Sequence, residues 1–126
     1  MVQIAAGWSF DVDRGPDWVF VKLHEDDSTS MPQPPLADTL LEVLRRHFAH
    51  RLVLELDEIT LLRSFVLGQL LMLQKEVQTQ GGIMRLCGLS EENQRVLHAM
   101  RLDGRLPNYQ DRVEAVLGRH WPKQPR

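Results

Sequence analysis

LVLELDEITLLRSFVLGQL, residues 52–70, is the stretch that decides the fold of this chain. It begins as an apolar run in which leucines at 52, 54 and 56 recur with the period of two that is typical of a β-strand. After a short turn, the apolar residues from Ser64 onward recur with helical spacing. The stretch therefore predicts a strand that leads through a loop into a helix, with a serine where the helix begins.

The position of Ser64 allows two interpretations. The first amides of a helix have no partner within the helix, and the helix dipole is positive there, so a hydroxyl oxygen or a phosphate suits this place. Ser64 is either a plain N-cap, which stabilises the helix by about 1 kcal/mol, or a serine switched by phosphorylation. A phosphate would add about −1.5 to −2 charges at pH 7, and Arg63 could pair with it.

Composition excludes several classes of function. The chain has 126 residues, of which 43% are apolar and 25% charged, and its net charge is −2. These values are typical of one globular domain, which we place at residues 1–118 with a flexible tail at 119–126. The net charge of −2 gives no positive electrostatic potential that would attract a nucleic acid or an anionic membrane. Without a signal peptide or membrane-span pattern, the sequence predicts a cytoplasmic protein.

Alternating and helical patterns divide the chain into short elements. A β-hairpin is predicted from residues 8–14 and 18–23, followed by a polar, proline-rich loop at 25–35. Strands are predicted at 51–56 and 83–87, with a brief extended piece around 105–107, and helices at 36–48, 64–79, from Ser90 onward and at 110–117. This order predicts an α/β fold with a mixed four- to five-stranded sheet and about four helices, an N-terminal hairpin preceding βα units.

The sequence of residues 52–117 resembles that of the STAS domain of anti-sigma factor antagonists. The pattern of that family is an apolar strand, an acid, an apolar turn, Asp-Ser-Ser-Gly-Leu-Gly, an apolar helix, Gly-Gly and a strand. Here the corresponding segments are LVLEL at 52–56, RSFVLG at 63–68, Gly81-Gly82 and IMRL at 83–86. LHAMRLDGRLPNY at 97–109 and a short helix containing Ala115 are similar to the family as well.

The resemblance implies a regulatory function. It places the family's phosphoacceptor serine on Ser64, the target of a partner kinase that also acts as an anti-sigma factor. The unphosphorylated domain would dock on that partner and free the sigma factor. Arg63, Phe65 and Val66 replace the usual acid, second serine and glycine, which is more similar to stressosome-type members. The alternative is therefore a non-phosphorylated scaffold subunit of a larger regulatory complex.

A second face of the helix at 64–79 is predicted to meet the partner. Positions 66, 70, 73 and 77 form the core stripe, whereas 65, 69, 72 and 76 share another face. An aromatic residue beside a methionine is typical of a docking surface. The predicted partner-binding residues are Arg63, Ser64, Phe65, Gln69 and Met72. Coverage of this face by another helix and self-association of the chain are both left open.

The remaining candidate chemistry favours no enzyme. His47 and His50 lack a third ligand at a suitable spacing, so no metal or cofactor is predicted. Glu55 and Asp57 point to one side of a strand and could form a carboxylate pair, or simply a polar face. A hydrolase using Ser64 would need an oriented base that the surrounding sequence does not offer. Cys87 lies in an apolar run and is predicted to be a buried hydrophobic residue.

Overall fold

The computed structural model of the protein describes residues 2–5, 8–25 and 35–118. Within them, one six-stranded sheet in the order β1-β2-β3-β4-β5-β6 carries four helices. The β1–β2 and β2–β3 pairs are antiparallel, and the β3–β4, β4–β5 and β5–β6 pairs are parallel. The elements are β1 Val2–Ala5, β2 Trp8–Arg14, β3 Val19–Glu25, α1 Leu36–Arg46, β4 Arg51–Glu55, α2 Ser64–Thr79, β5 Ile83–Cys87, α3 Glu91–Ala99, β6 Asn108–Tyr109 and α4 Arg112–Leu117.

The predicted α/β fold is confirmed, with differences at its edges. The sheet has one strand more than predicted because β1, too short to show a pattern, pairs with the open edge of β2. The predicted extended piece lies slightly later, as β6. Helix α4 starts at Arg112 instead of residue 110, because the Asp111 carboxylate accepts a hydrogen bond from the Glu114 amide at 3.0 Å and caps the helix there. Residues 26–34 and 119–126, in the predicted loop and tail, lie outside the described residues.

The two faces of the sheet are covered differently. One face packs against α1, α2 and α3 and holds the larger core, whose fully buried members include Leu23, Leu40, Leu54, Leu70, Leu86 and Leu97. The opposite face packs a smaller cluster, to which α4 contributes Ala115. Cys87 belongs to this cluster, and burial raises the pKa of its thiol to about 12. Cys87 is thus the buried hydrophobic residue that the sequence predicted.

Arg112 fastens α4 to the sheet. Its guanidinium donates hydrogen bonds to both oxygens of the Glu55 carboxylate, at 2.7 and 3.0 Å, and to Asp13 at 2.8 Å. The same group lies 4.3 Å from the centre of the Phe20 ring, a distance that allows a cation–π contact. Glu55 is buried by this arrangement, whereas the exposed Asp57 pairs with Lys22 at 3.3 Å. The two acids therefore do not form a carboxylate pair.

Three helices end in the same Schellman motif, in which the residue after the cap has a positive φ. In α2 that residue is Gly81, with φ 80°, and the predicted helix stop at Gly81-Gly82 is confirmed. In α1 and α3 it is Phe48, with φ 51°, and Arg101, with φ 58°. A side chain in this conformation costs about 1–2 kcal/mol relative to glycine. Among the described residues, no helix combines the length and the hydropathy that a membrane span requires.

Candidate partner-binding site

Ser64 is the first residue of α2, and the residue that caps this helix is Arg63, with extended dihedral angles of φ −86° and ψ 162°. The Arg63 side chain makes no capping hydrogen bond, and the first turn of α2 contains no acidic residue. The interpretation of Ser64 as the N-cap is therefore wrong. The positive end of α2 is left without a capping side chain or an acid of its own.

Ser90 shows the contrast within the same molecule. It precedes α3 in an extended conformation, and its hydroxyl oxygen accepts a hydrogen bond from the Asn93 amide at 3.1 Å. Glu91 and Glu92 add negative charge in the first turn, and these charges stabilise the helix because its dipole is positive at this end. Helix α3 thus has the cap and the charges that α2 lacks.

Both Ser64 and Arg63 are exposed. Among the described residues, none makes a hydrogen bond with the Ser64 hydroxyl or an ion pair with Arg63. The hydroxyl and the guanidinium are thus available to a molecule that approaches from outside. The structure therefore places this serine where the sequence predicted it, at the accessible amino end of the second helix.

The loop at residues 56–63 presents Ser64 and is held by its own apolar side chains. Leu56, Ile59 and Leu62 are buried in the larger core, whereas Asp57, Glu58, Thr60 and Leu61 between them are exposed. The amide of Leu56 also donates to the Cys87 carbonyl at 2.9 Å, which ties the start of the loop to β5. Three buried side chains in eight residues leave the loop little freedom to move away from the sheet.

Asn93 of α3 holds the same loop from below. This side chain is fully buried, and its oxygen accepts a hydrogen bond from the Leu62 amide at 2.9 Å. Its nitrogen donates to the carbonyls of Ile59, at 3.2 Å, and Thr60, at 3.4 Å. One amide group thus replaces the backbone partners that the loop lacks, which is what a buried polar side chain must do to avoid a desolvation cost.

Strand β3 holds the loop from the side. Lys22 pairs with Asp57, and the Glu25 carboxylate accepts a hydrogen bond from the Thr60 amide at 3.4 Å. Between them, His24 lies 2.7 Å from Glu58 through Nδ1 and 2.7 Å from Asp11 through Nε2. The hydrogen bond with Asp11, followed by that with Glu58, raises the pKa of His24. The imidazolium thereby joins β2, β3 and the loop.

An exposed row runs along α2 from Ser64. Residues four apart lie above one another on a helix, so Ser64, Gly68 and Met72 form one line of roughly 12 Å. Met72 is 54% exposed, and a Cβ added at Gly68 would meet no atom within 4 Å. The absence of a side chain at Gly68 lets a partner come close to the helix backbone between the serine and the methionine. Leu61, which is 44% exposed, adds an apolar side chain in the loop, three residues before Ser64.

Phe65 and Gln69 are less available than Met72. Phe65 is half-buried and packs against the larger core. The Gln69 side chain accepts a hydrogen bond from the Ala37 amide at 2.9 Å, so it caps α1, and its nitrogen lies 3.7 Å from the Met72 sulfur. On the face predicted for partner binding, Gln69 therefore contacts α1 and Phe65 packs against the core, whereas Met72 is exposed to solvent. The binding roles of Phe65 and Gln69 stay predictions.

Four residues of the site are not indicated by the sequence pattern: Leu61, Gly68, His24 and Asn93. Leu61 and Leu62 form an apolar doublet, and the pattern does not reveal which of the two is buried. Gly68 is the last residue of the RSFVLG segment, and its position about one turn after Ser64 was a usable signal. His24 and Asn93 act across 34 and 31 residues of chain, so no local pattern could reveal them.

A family model of the STAS domain matches residues 22–115, so the chain belongs to the STAS domain family. The match covers β4, β5 and β6, the last four residues of β3, and the loop that carries Ser64. The predicted resemblance is confirmed.

Solved structures of the same fold include three that resemble this chain over most of its length. An anti-sigma factor antagonist from Mycobacterium paratuberculosis has 15% identity and a TM-score of 0.73, covering 93% of this chain and 97% of that chain. The protein TM1081 from Thermotoga maritima has 19% identity and a TM-score of 0.70, covering 86% of each chain. The anti-sigma factor antagonist SpoIIAA in its unphosphorylated form has 13% identity and a TM-score of 0.60, covering 87% of this chain and 97% of that chain. No curated protein matches the sequence.

The two serines at helix starts allow a direct test of their different roles. Because only the Ser90 hydroxyl caps its helix, we expect Ser90→Ala to lower the free energy of unfolding by about 1 kcal/mol. Ser64→Ala should change it by less than about 0.5 kcal/mol, as for an exposed residue without a partner. Urea unfolding of the two variants measures both values. An equal loss in both would show that the Ser64 hydroxyl stabilises the fold.

His24 should make the stability depend on pH. Because its folded-state pKa is raised, the imidazolium contributes stability that is fully present below the unfolded-state pKa, about 6.5, and is lost as the pH rises through the folded-state pKa. His24→Gln should therefore reduce the free energy of unfolding more at about pH 5.5 than at about pH 8.5. Urea unfolding at both pH values measures this difference. An equal reduction in the free energy of unfolding at the two pH values would contradict an imidazolium bound to two carboxylates.

Proposed function

We propose that this chain is a protein–protein interaction module in bacterial signalling that acts as an anti-sigma factor antagonist, with Ser64 as a phosphorylation switch. The observation that carries the proposal is the exposed, unengaged Ser64 hydroxyl at the uncapped amino end of α2. The family match and the two structural neighbours named anti-sigma factor antagonists support the same function. The partner would be an anti-sigma factor that is also a serine kinase, and the regulated process would be transcription.

The switch would act on binding and leave the fold unchanged. The core lies beneath the loop, and Ser64 projects away from it, so a phosphate could be added without moving a buried group. None of the described residues pairs with the Arg63 guanidinium, and this cation and the positive end of α2 would tolerate the new charge on this side. A partner surface that fits a neutral hydroxyl would bind the phosphorylated serine more weakly. Each 1.4 kcal/mol of binding free energy that is lost weakens the affinity tenfold.

The surface available to the partner is the exposed row Ser64, Gly68 and Met72, with Arg63 and Leu61 at its end. It combines a hydrogen-bonding group, a cation and two exposed apolar side chains, and interfaces are commonly built from such a mixture. The loop that carries it is held by Asn93 and by β3, so little ordering entropy is lost when a partner binds. A loop that is already held in place before a partner arrives is suited to docking.

The alternative is a scaffold of the same fold that is never phosphorylated. Arg63 stands where the family pattern has an acid, and the half-buried Phe65 stands where it has a second serine. In this alternative both residues would contact a neighbouring subunit permanently. Incubation with the kinase and ATP, followed by mass spectrometry, separates the two functions, because only the switch gains a phosphate on Ser64.

We further propose that the chain is not an enzyme and acts in the cytoplasm. A nucleophilic serine needs a base within hydrogen-bond distance, and the part of the chain that the structure describes offers Ser64 none. An active-serine probe should therefore leave Ser64 unlabelled.

The binding test uses four forms of the full chain: wild type, Ser64→Ala, Ser64→Asp and, as the matched control, Ser90→Asp. Calorimetric titration against the anti-sigma factor kinase encoded in the same genome should give a Kd for Ser64→Ala close to that of the wild type. The Kd of Ser64→Asp should be at least tenfold weaker, which corresponds to about 1.4 kcal/mol. Ser90→Asp should bind as the wild type does, since an aspartate can also cap α3. Equal affinities of Ser64→Ala and Ser64→Asp would contradict the switch.

A further inference from the structure

Phe48 is the most exposed large apolar residue in the described part of the chain, at 89%. It follows the cap of α1 and takes the positive-φ position of the Schellman motif. Its amide donates to the Arg45 carbonyl at 3.1 Å, and the next amide, of Ala49, donates to the Leu44 carbonyl at 3.0 Å. The backbone of Phe48 therefore ends the helix, while its ring projects into solvent.

The fold alone does not explain a phenylalanine at this place. Folding favours glycine at a positive φ, and the same motif at the end of α2 contains Gly81. The Phe48 ring buries almost no surface, so it contributes no packing in return. A strained, exposed aromatic side chain is the kind of outlier from which a binding role is inferred.

The surroundings of Phe48 are basic and concave. A shallow cleft of about 300 Å³ is lined by Arg14, Pro16, Asp17, Phe48, Ala49, His50 and Arg51, and we call it the Phe48 cleft. The Arg14 guanidinium donates to the His47 carbonyl, which fixes one wall against the end of α1. Arg51 is exposed and lies 5.9 Å from the Trp18 ring centre.

The last turn of α1 extends the positive charge beside the cleft. Arg45 and Arg46 are both exposed and share one carboxylate, that of Glu42. Arg14 and Arg51 line the cleft with Asp17, and Arg45 and Arg46 pair with Glu42, so these six residues around Phe48 carry a net charge of +2. The excess is local, because the whole chain carries a net charge of −2.

We propose that the Phe48 cleft binds an acidic segment of a partner protein, with an apolar side chain of that segment against the Phe48 ring and carboxylates on Arg14 and Arg51. Arginine and aromatic side chains are enriched where interfaces gain most of their binding energy. The net acidity of the chain disfavours a nucleic acid as the occupant. The cleft lies where β4 begins, and Ser64 follows the loop at its other end, so about 17 Å of strand separates them. The cleft is therefore distinct from the surface around Ser64, and the proposal does not depend on the function of Ser64.

The test uses Phe48→Gly and, as the matched control, Arg101→Gly. Both replace an exposed residue at the same position of a Schellman motif, so both should raise the Tm, by roughly 3 °C or more for a domain of this size. A phage-displayed library of random 12-residue peptides is panned on the full wild-type chain after depletion on Phe48→Gly. We expect enriched peptides with several Asp or Glu residues and at least one apolar residue.

The enriched peptide is then synthesised with a fluorescent label and titrated by anisotropy. We expect the Kd to weaken at least tenfold in Phe48→Gly, to stay unchanged in Arg101→Gly, and to weaken as salt screens the arginines. The proposal is overturned if nothing is enriched over Phe48→Gly, if the enriched peptides are not acidic, or if the Tm of Phe48→Gly falls. It is also overturned if Phe48 is needed for self-association in sedimentation, or for binding a labelled single-stranded oligonucleotide, because the occupant would then be a second copy or a nucleic acid.

Discussion

The arrangement of the candidate site depends on one buried amide, the side chain of Asn93. Three hydrogen bonds from this group satisfy the backbone of the loop between β4 and α2. A loop that crosses the edge of a sheet has no ladder partners of its own, and an unsatisfied buried amide or carbonyl would cost free energy. Asn93 removes that cost, and the loop can then keep Leu62 inside while Arg63 and Ser64 stay outside.

The ends of the parallel strands explain why the loop can be held from several directions. Strands β3, β4 and β5 all point their carboxyl ends at the same edge, so the residues that follow them meet there. Lys22 and His24 come from β3, and Asn93 comes from the helix after β5. Charged pairs on the exposed side and an amide on the buried side therefore hold one short segment, and the serine is presented by a rigid support.

The sequence predicted the central elements well because their patterns are local. Alternation in β4 and β5, helical spacing in α2 and the Gly-Gly stop depend on neighbouring residues, and α2 and β5 were predicted with their observed bounds. The edge strands β1 and β6 depend on the partner strand, and four- and two-residue segments carry no period to detect. At the site, the accessible Ser64 was predicted, but the loop supports were not, because they come from residues more than 30 positions away in the chain.

Amide hydrogen exchange at Leu62 measures the support of the loop most directly. In the wild type this amide donates to Asn93 beneath the surface and should exchange slowly. In Asn93→Ala its acceptor is gone, so protection at Leu62 should fall at least tenfold while amides within α2, such as that of Leu70, keep theirs. Unchanged protection at Leu62 in the variant would contradict the role of Asn93 and show that another group holds the loop.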